Sequence, residues 1–329
     1  EEIGIDEKTV KNIFRDYVNE VERTVLFKTP NWMGIDEIHL IRPRCVISNI
    51  QNKTLIEILH NRDKKTLMTY LNKLEGKDSV RYVSMDMWHP YKDAVRIVLR
   101  NSTIIIDKFH FVRMANAALE GARKSLREGL TDKQRRGLTH DRFFLLKRHR
   151  DLKSQEQLLV DVWTKNYPFL GEAYRLKEDF YGIYEASSVS DAKVRYQEWK
   201  ASIPYEVHEH FQPIITAWSN WSNEILNYFD HPVTNAYTDA YTESLNNLIR
   251  VMNRLGRGYS FEALRAKLLF TEGAHKRIMS RPKFQRRSVI DGFACIKRGG
   301  DISIGTEELE KNYGADISTL IQMIENGEL

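Results

Sequence analysis

Cysteine is almost missing from this chain. Cys45 and Cys295 are its only two, far apart in sequence. They match neither a disulfide framework nor a zinc-ligand spacing, and they point to a reducing compartment. No run of about eighteen apolar residues occurs, which argues against a membrane-spanning helix. No apolar segment precedes a small-residue cleavage site, as a secretory signal would require. Internal repeats and low-complexity tracts are absent too. The first residue is Glu1 rather than Met, so the sequence reads as a piece of a longer protein. An excess of charge of one sign is also lacking: the net charge of +5 says little about partners by itself.

What is present is enough apolar material for a sizeable core, 42% of 329 residues. That length suits two or three domains, or one core with a large insertion. The distribution of charge says more than its sum. Ten Lys/Arg face three Asp/Glu between Gly121 and Arg150, and eleven face two between Arg250 and Arg287. Either block alone reads equally well as a solvated helix face. The two together favour a phosphate-binding surface, hence nucleic acid.

Segment by segment, the pattern alternates. "IDEKTVKNIF" has an acidic cap followed by Val10, Ile13 and Phe14 at helical spacing. It is similar to the second helix of a helix-turn-helix, and equally to an ordinary surface helix. "MGIDEIHL", "CVISNIQN" and "TLIEIL" read as three strands, and "NRDKKTLMTYLNKL" (Asn61–Leu74) as a helix. Tyr82–Met85 is a short strand, Pro90 opens a helix, and "STIIID" is a further strand. The first three strands suit a meander, and the helical crossovers suit parallel pairing, so the expected class is α/β with a mixed sheet. From Phe109 to Phe229 strand signals vanish and a helical block of roughly 120 residues is expected. His231-Pro232 breaks it. A helix then follows, a turn at Gly256–Gly258, and another helix. The tail after Ala274 is basic, then polar, and ends on a short amphipathic segment.

Two acids sit where a core strand would not put them. Asp36 lies inside the first strand and Asp86 ends the fourth. A buried carboxylate is costly unless it is paired or binds a metal. One such acid reads as a hydrogen-bonded core residue; two at neighbouring strand ends read as a site for a hard cation such as Mg²⁺, which takes oxygen ligands. Alternation puts Asp36 and Ile38 on one face of the strand and Glu37 on the other. Glu243 is the best third acid, on a helix where Asp239, Glu243 and Asn247 recur every four residues, with Asn246 one step round. Asp107 and His110 form a second cluster, readable as a helix cap or as a polar bracket beside the metal site. Trp218 and Trp221, three apart, read as core packing, with stacking on an unpaired base as the alternative.

Four stretches, "GIDE" (Gly34–Glu37), "SMDMWHPYKDAV" (Ser84–Val95), "IIIDKFHFVRMANAAL" (Ile104–Leu119) and "YTESLNNLIRVMNRLGRGYSFEALR" (Tyr241–Arg265), occur together in this order. In this combination the chain resembles the DDE transposases of the ISL-three insertion-sequence family, over about residues 1–270. The resemblance implies a ribonuclease H-like mixed-sheet core interrupted by a large all-helical insertion domain. It divides the chain into a helix-turn-helix remnant (1–24), the first part of the core (25–110), the helical insertion (111–232), the closing catalytic helix (233–275) and a basic tail (276–329). Such proteins also carry a zinc-binding module and a complete helix-turn-helix, of which this chain holds only the 1–24 segment.

The resemblance further implies two Mg²⁺ ions, replaceable by Mn²⁺, held by Asp36, Asp86 and Glu243. The gaps are 50 and 157 residues, the second lengthened by the insertion. Asp107 is the alternative to Asp86, and Asp107, His110 and Asn247 are auxiliary residues. The reaction it implies is cleavage at insertion-sequence ends and transfer of the freed 3′-hydroxyl to target DNA. The partners are double-stranded DNA, as terminal inverted repeats and target, and a second copy of the chain or more, in the bacterial cytoplasm at the nucleoid. Lys108, Arg113, Arg123, Lys124, Arg127, Arg250, Arg254 and Arg257 are the expected DNA contacts. The competing readings are a catalytically silent scaffold that keeps the fold, and a nuclease without strand transfer.

Overall fold

In the computed structural model, residues 4–24, 28–231, 239–256 and 258–272 are described. The tail after Ala274, the His231-Pro232 break beyond His231, and Arg257 lie outside them. The chain divides into two compact units, one made of Lys28–Lys53 and Glu57–Asn247, the other of Glu1–Phe27, Thr54–Ile56 and Leu248–Leu329.

The strands form a five-stranded mixed sheet. Its strands are β1 (Trp32–His39), β2 (Pro43–Asn49), β3 (Thr54–Leu59), β4 (Tyr82–Met85) and β5 (Thr103–Ile106), in the order β3-β2-β1-β4-β5. β1 pairs antiparallel with β2 and parallel with β4, and β4 pairs parallel with β5. The parallel pairs are joined by crossovers carrying α2 (Lys64–Lys73) and α3 (His89–Val98). Five of the eight residues of β1 are buried, as a central strand covered on both faces requires. Gly34 is needed there: it faces Ser48, and a Cβ would collide with Ser48 Oγ and lie 3.2 Å from Ile50 Cγ1.

Local signals set the helix starts. Asp63 caps α2 through Thr66 N–H at 2.8 Å, and Pro90 occupies the first turn of α3, where a missing N–H costs nothing. Asp107 caps α4 (Lys108–Ser125), accepting from Phe109 N–H at 2.9 Å.

The expected helical block is present as α4, α5 (Asp132–His140), α6 (Arg142–Leu146), α7 (Ser154–Asn166), α8 (Pro168–Ile183), α9 (Val189–Ala201) and α10 (Tyr205–Asp230). α10 packs along β5 and α4, and α4 packs against α8. Asn227 of α10 donates to the Ile104 carbonyl at 2.7 Å, which covers part of the sheet edge formed by β5. The aromatic residues fill this block. Trp218 stacks on Tyr196 with centroids 3.8 Å apart, and Trp221 lies 4.6 Å from the His89 ring. Both tryptophans are buried, so packing is their role here. Lys177 is fully buried, with its Nζ on the carbonyls of Leu145 and Lys147 and beside Glu178.

α11 (Asp239–Leu255) begins in the larger unit, and α12 (Phe261–Lys267) lies in the smaller one. In the smaller unit, α1 (Glu7–Thr24) starts on an Asp6 cap, and Glu22 pairs with Arg265. No helix of the described residues is long and apolar enough to cross a membrane.

Candidate active site

The register of β1 against β4 pairs Ile35 with Met85, so the next residues, Asp36 and Asp86, emerge side by side. Asp86 follows the last residue of β4, and β5 ends one residue before Asp107. The first turn of α4 then brings His110 over the same strand ends. Ligand-capable atoms of Asp36, Asp86 and His110 lie within 4.8 Å of one another.

Each member is held differently. Asp36 is buried, and its Oδ1 accepts from the Glu37 N–H at 2.7 Å while its Oδ2 accepts from Asn246 Nδ2. Burial, and then the charge of Asp86, push the Asp36 carboxyl up to about 6, against the opposing pull of His110 and these two donors. His110 Nδ1 is 2.7 Å from Asp86 Oδ1 and 3.9 Å from Asp107 Oδ2. The ring nitrogen and the Asp86 carboxylate are thus in direct contact. Burial works against a charged imidazole, but the contact with Asp86 and the charges of Asp107 and Asp36 outweigh it and raise the His110 pKa.

These residues suit a divalent cation. Two carboxylates held this close repel, and a cation between them would relieve that repulsion. Asn246 is itself buried, and its Oδ1 has no hydrogen-bond partner among the described residues, an acceptor oxygen next to Asp36. Asp107 sits differently from Asp86. It is buried and caps α4. The backbone of Glu243 is helical within α11, but its side chain lies outside the described residues.

Beside Asp86 and His110 is a pocket of about 340 Å³, lined also by Glu37, Trp88, Arg113 and Met114. Glu37, expected on the opposite face of the strand, lines this pocket and pairs with Arg62. The expected cations are placed unevenly. Arg113 is exposed and lines the pocket, and Lys124 and Arg127 are exposed further along the same segment. Lys108 lies 5.5 Å above the Tyr184 ring. Arg123 is buried, with its guanidinium bound to both oxygens of Glu120 at 2.7 and 2.6 Å, so that charge is neutralised within α4. Arg250 and Arg254 are exposed on α11, and Arg257 lies outside the described residues.

Asn246 is a contact that spacing by fours along α11 did not single out. Asn247, chosen by that spacing, is exposed, whereas Asn246 is the one on Asp36. The available signal was the apolar arc of the helix. Leu245, Leu248 and Ile249 are buried, and Asn246 falls beside that arc while Asn247 falls across from it. Arg62 and Trp88 carried no such signal, because their meeting depends on how α2 and α3 pack.

Comparison with curated proteins returned no match. The family model described as a transposase, that of the ISL-three (ISL3) DDE group, matches residues 33–268, a span that includes Asp36, Asp86, His110 and Glu243. With that span covering most of the chain, the protein belongs to the ISL3 family of DDE transposases.

Proposed function

We propose that this chain cleaves DNA strands at the ends of an insertion sequence and joins the freed 3′-hydroxyl to target DNA, using divalent metal held by Asp36, Asp86 and Glu243. The observation that carries the reading is the emergence of Asp36 and Asp86 side by side from β1 and β4, with ligand atoms inside a 4.8 Å cluster. Glu243 is proposed as the third ligand because it lies one helical turn before Asn246, which bonds Asp36. The sheet order β3-β2-β1-β4-β5, with β2 antiparallel to β1 and β1, β4 and β5 parallel, supports a ribonuclease H-like core, with α4 to α10 as its helical insertion.

A divalent ion bound to these carboxylates, Mg²⁺ with Mn²⁺ as substitute, would lower the pKa of the attacking hydroxyl and neutralise charge on the leaving oxygen. The protein's own residues supply the positioning. Asn246 and the Glu37 N–H fix both oxygens of Asp36. His110 contacts Asp86, and the exposed Arg113 faces the same pocket, where it would meet a phosphate oxygen. In the first step a water oxygen attacks phosphorus and the P–O3′ bond breaks, leaving a 3′-hydroxyl. In the second, that hydroxyl attacks a phosphodiester of the target and displaces its 3′ oxygen. No bond to the protein forms in either step. Arg113, Lys124 and Arg127 are the proposed contacts to flanking duplex, and such binding weakens steeply with salt.

A strand-transfer assay with pre-cleaved ends and Mg²⁺ or Mn²⁺ tests this. Joining is the expected result. Nicking without joining would point to a nuclease, and binding alone to a silent scaffold.

A further inference from the structure

We propose that Trp88, braced by Arg62, is the platform on which a nucleobase next to the scissile phosphate stacks. The inference rests on the DNA-cleaving reading and adds to it the part of the substrate that the acids do not touch.

Trp88 occupies the N-cap position of α3, where Ser, Thr, Asp or Asn would normally bind the free N–H groups. It makes no side-chain cap. Trp88 is 37% exposed, whereas Trp218 and Trp221 are buried in the helical block. Neither capping nor core packing therefore accounts for a large aromatic at this position.

The backbone that carries the ring is fixed all the same. Trp88 N–H donates to the Asp86 carbonyl at 2.7 Å, and its own carbonyl accepts from Tyr91 and Lys92 N–H at 3.0 and 3.2 Å. The Arg62 guanidinium lies 4.5 Å from the ring centroid, and Arg62 is itself held by Glu37. A flat ring on a fixed backbone, already in contact with one guanidinium, loses less entropy on stacking than a free side chain would.

The surroundings match a nucleotide. The pocket that Trp88 lines carries Asp86, His110 and Arg113 together with Met87 and Met114. One part suits a metal-bound phosphate, and the other suits the flat face of a base. Trp88 is two residues from Asp86, so a base stacked there belongs to the nucleotide whose phosphate is cut, or to its neighbour. Stacking of this kind tolerates any base but requires it to be unpaired. The proposal therefore assigns the pocket to a frayed or splayed DNA end.

The test uses the full chain and two fluorescein-labelled duplexes in Ca²⁺, one with a three-thymidine 3′ overhang and one with the same overhang made abasic. Fluorescence anisotropy gives the two affinities. The expected result is roughly tenfold tighter binding of the thymidine overhang. Trp88→Ala abolishes that preference while binding the abasic duplex as the unaltered chain does, which also shows that the variant is folded. Trp88→Phe keeps most of the preference. The proposal is overturned if Trp88→Ala retains the preference, if it weakens both duplexes equally, or if the unaltered chain binds both duplexes alike. Failure to bind either duplex would instead overturn the DNA-cleaving reading, and this inference with it.

Discussion

Asn246 Nδ2 donates a hydrogen bond to Asp36 Oδ2 across 210 positions of sequence. The bond fixes α11 to the strand that carries the central acid. Among the described residues it also leaves the Asn246 Oδ1 buried without a partner. A buried acceptor of that kind is costly, and a water on a bound cation would satisfy it.

Replacing Asn246 with Ala should therefore weaken metal binding without removing a ligand. Loss of such an orienting partner costs about 10- to 100-fold in metal affinity. Titration calorimetry with Mn²⁺ measures this directly, and an unchanged affinity would mean that Asn246 only packs.

The acidity of Asp36 sets a pH window. Its carboxyl is raised to about 6 in the fold, from an ordinary value of 3.8. Between these values the folded chain holds a proton that the unfolded chain has lost. This group therefore lowers the stability of the metal-free protein as pH rises through that interval, and the cost is fully present above about 6. Asp36→Asn should stabilise the metal-free protein at pH 7 by something on the order of 2 kcal/mol, and by almost nothing at pH 3.5. Metal binding runs the other way, because the ion competes with the proton. Mn²⁺ affinity of the unaltered chain should fall as pH drops below about 6. Denaturation with a chelator present, and calorimetry without one, check the two halves.

The α3–α10 contact rests on one buried carboxylate. Glu224 Oε1 lies 2.7 Å from Lys92 Nζ and 2.8 Å from Arg96 Nη2. The Lys92 side chain is only 11% exposed, against 60% for that of Arg96. Glu224→Ala strands a buried ammonium and should cost about 3 kcal/mol. Arg96→Ala removes a solvated partner and should cost less than about 1 kcal/mol. Denaturant midpoints for the two variants decide whether burial sets the difference.

Gly34 and Ser48 form a second testable pair. Gly34→Ala should cost about 1–3 kcal/mol, since the new methyl group meets Ser48 Oγ and crowds Ile50. Adding Ser48→Ala removes the first of these contacts and should recover part of the loss. Simple additivity of the two changes in a double-mutant cycle would contradict the proposed clash.

Much of the sheet was legible in the sequence. Short β-rich runs bounded by Pro90, Asp107 and the Asp63 cap fixed five strands and their crossovers, because those residues act locally. The pairing of β1 with β4 followed from the crossovers. The site was legible where a residue broke its local pattern, as Asp36 does inside β1 and Asp86 does at the end of β4. It was illegible where contact depends on distant packing. Arg123 looked like a surface cation within a basic block, but Glu120 one turn earlier takes up its charge. Asn247 and Asn246 differ by one helical step, and only the burial of Leu245, Leu248 and Ile249 tells them apart.

The most direct test of the account is the anomalous scattering of Mn²⁺ soaked into crystals of the protein. The account predicts density between the carboxylates of Asp36 and Asp86, with Glu243 completing the protein ligands. Density on Asp36 and Asp107 that leaves Asp86 unligated, or no density at these strand ends, would contradict it.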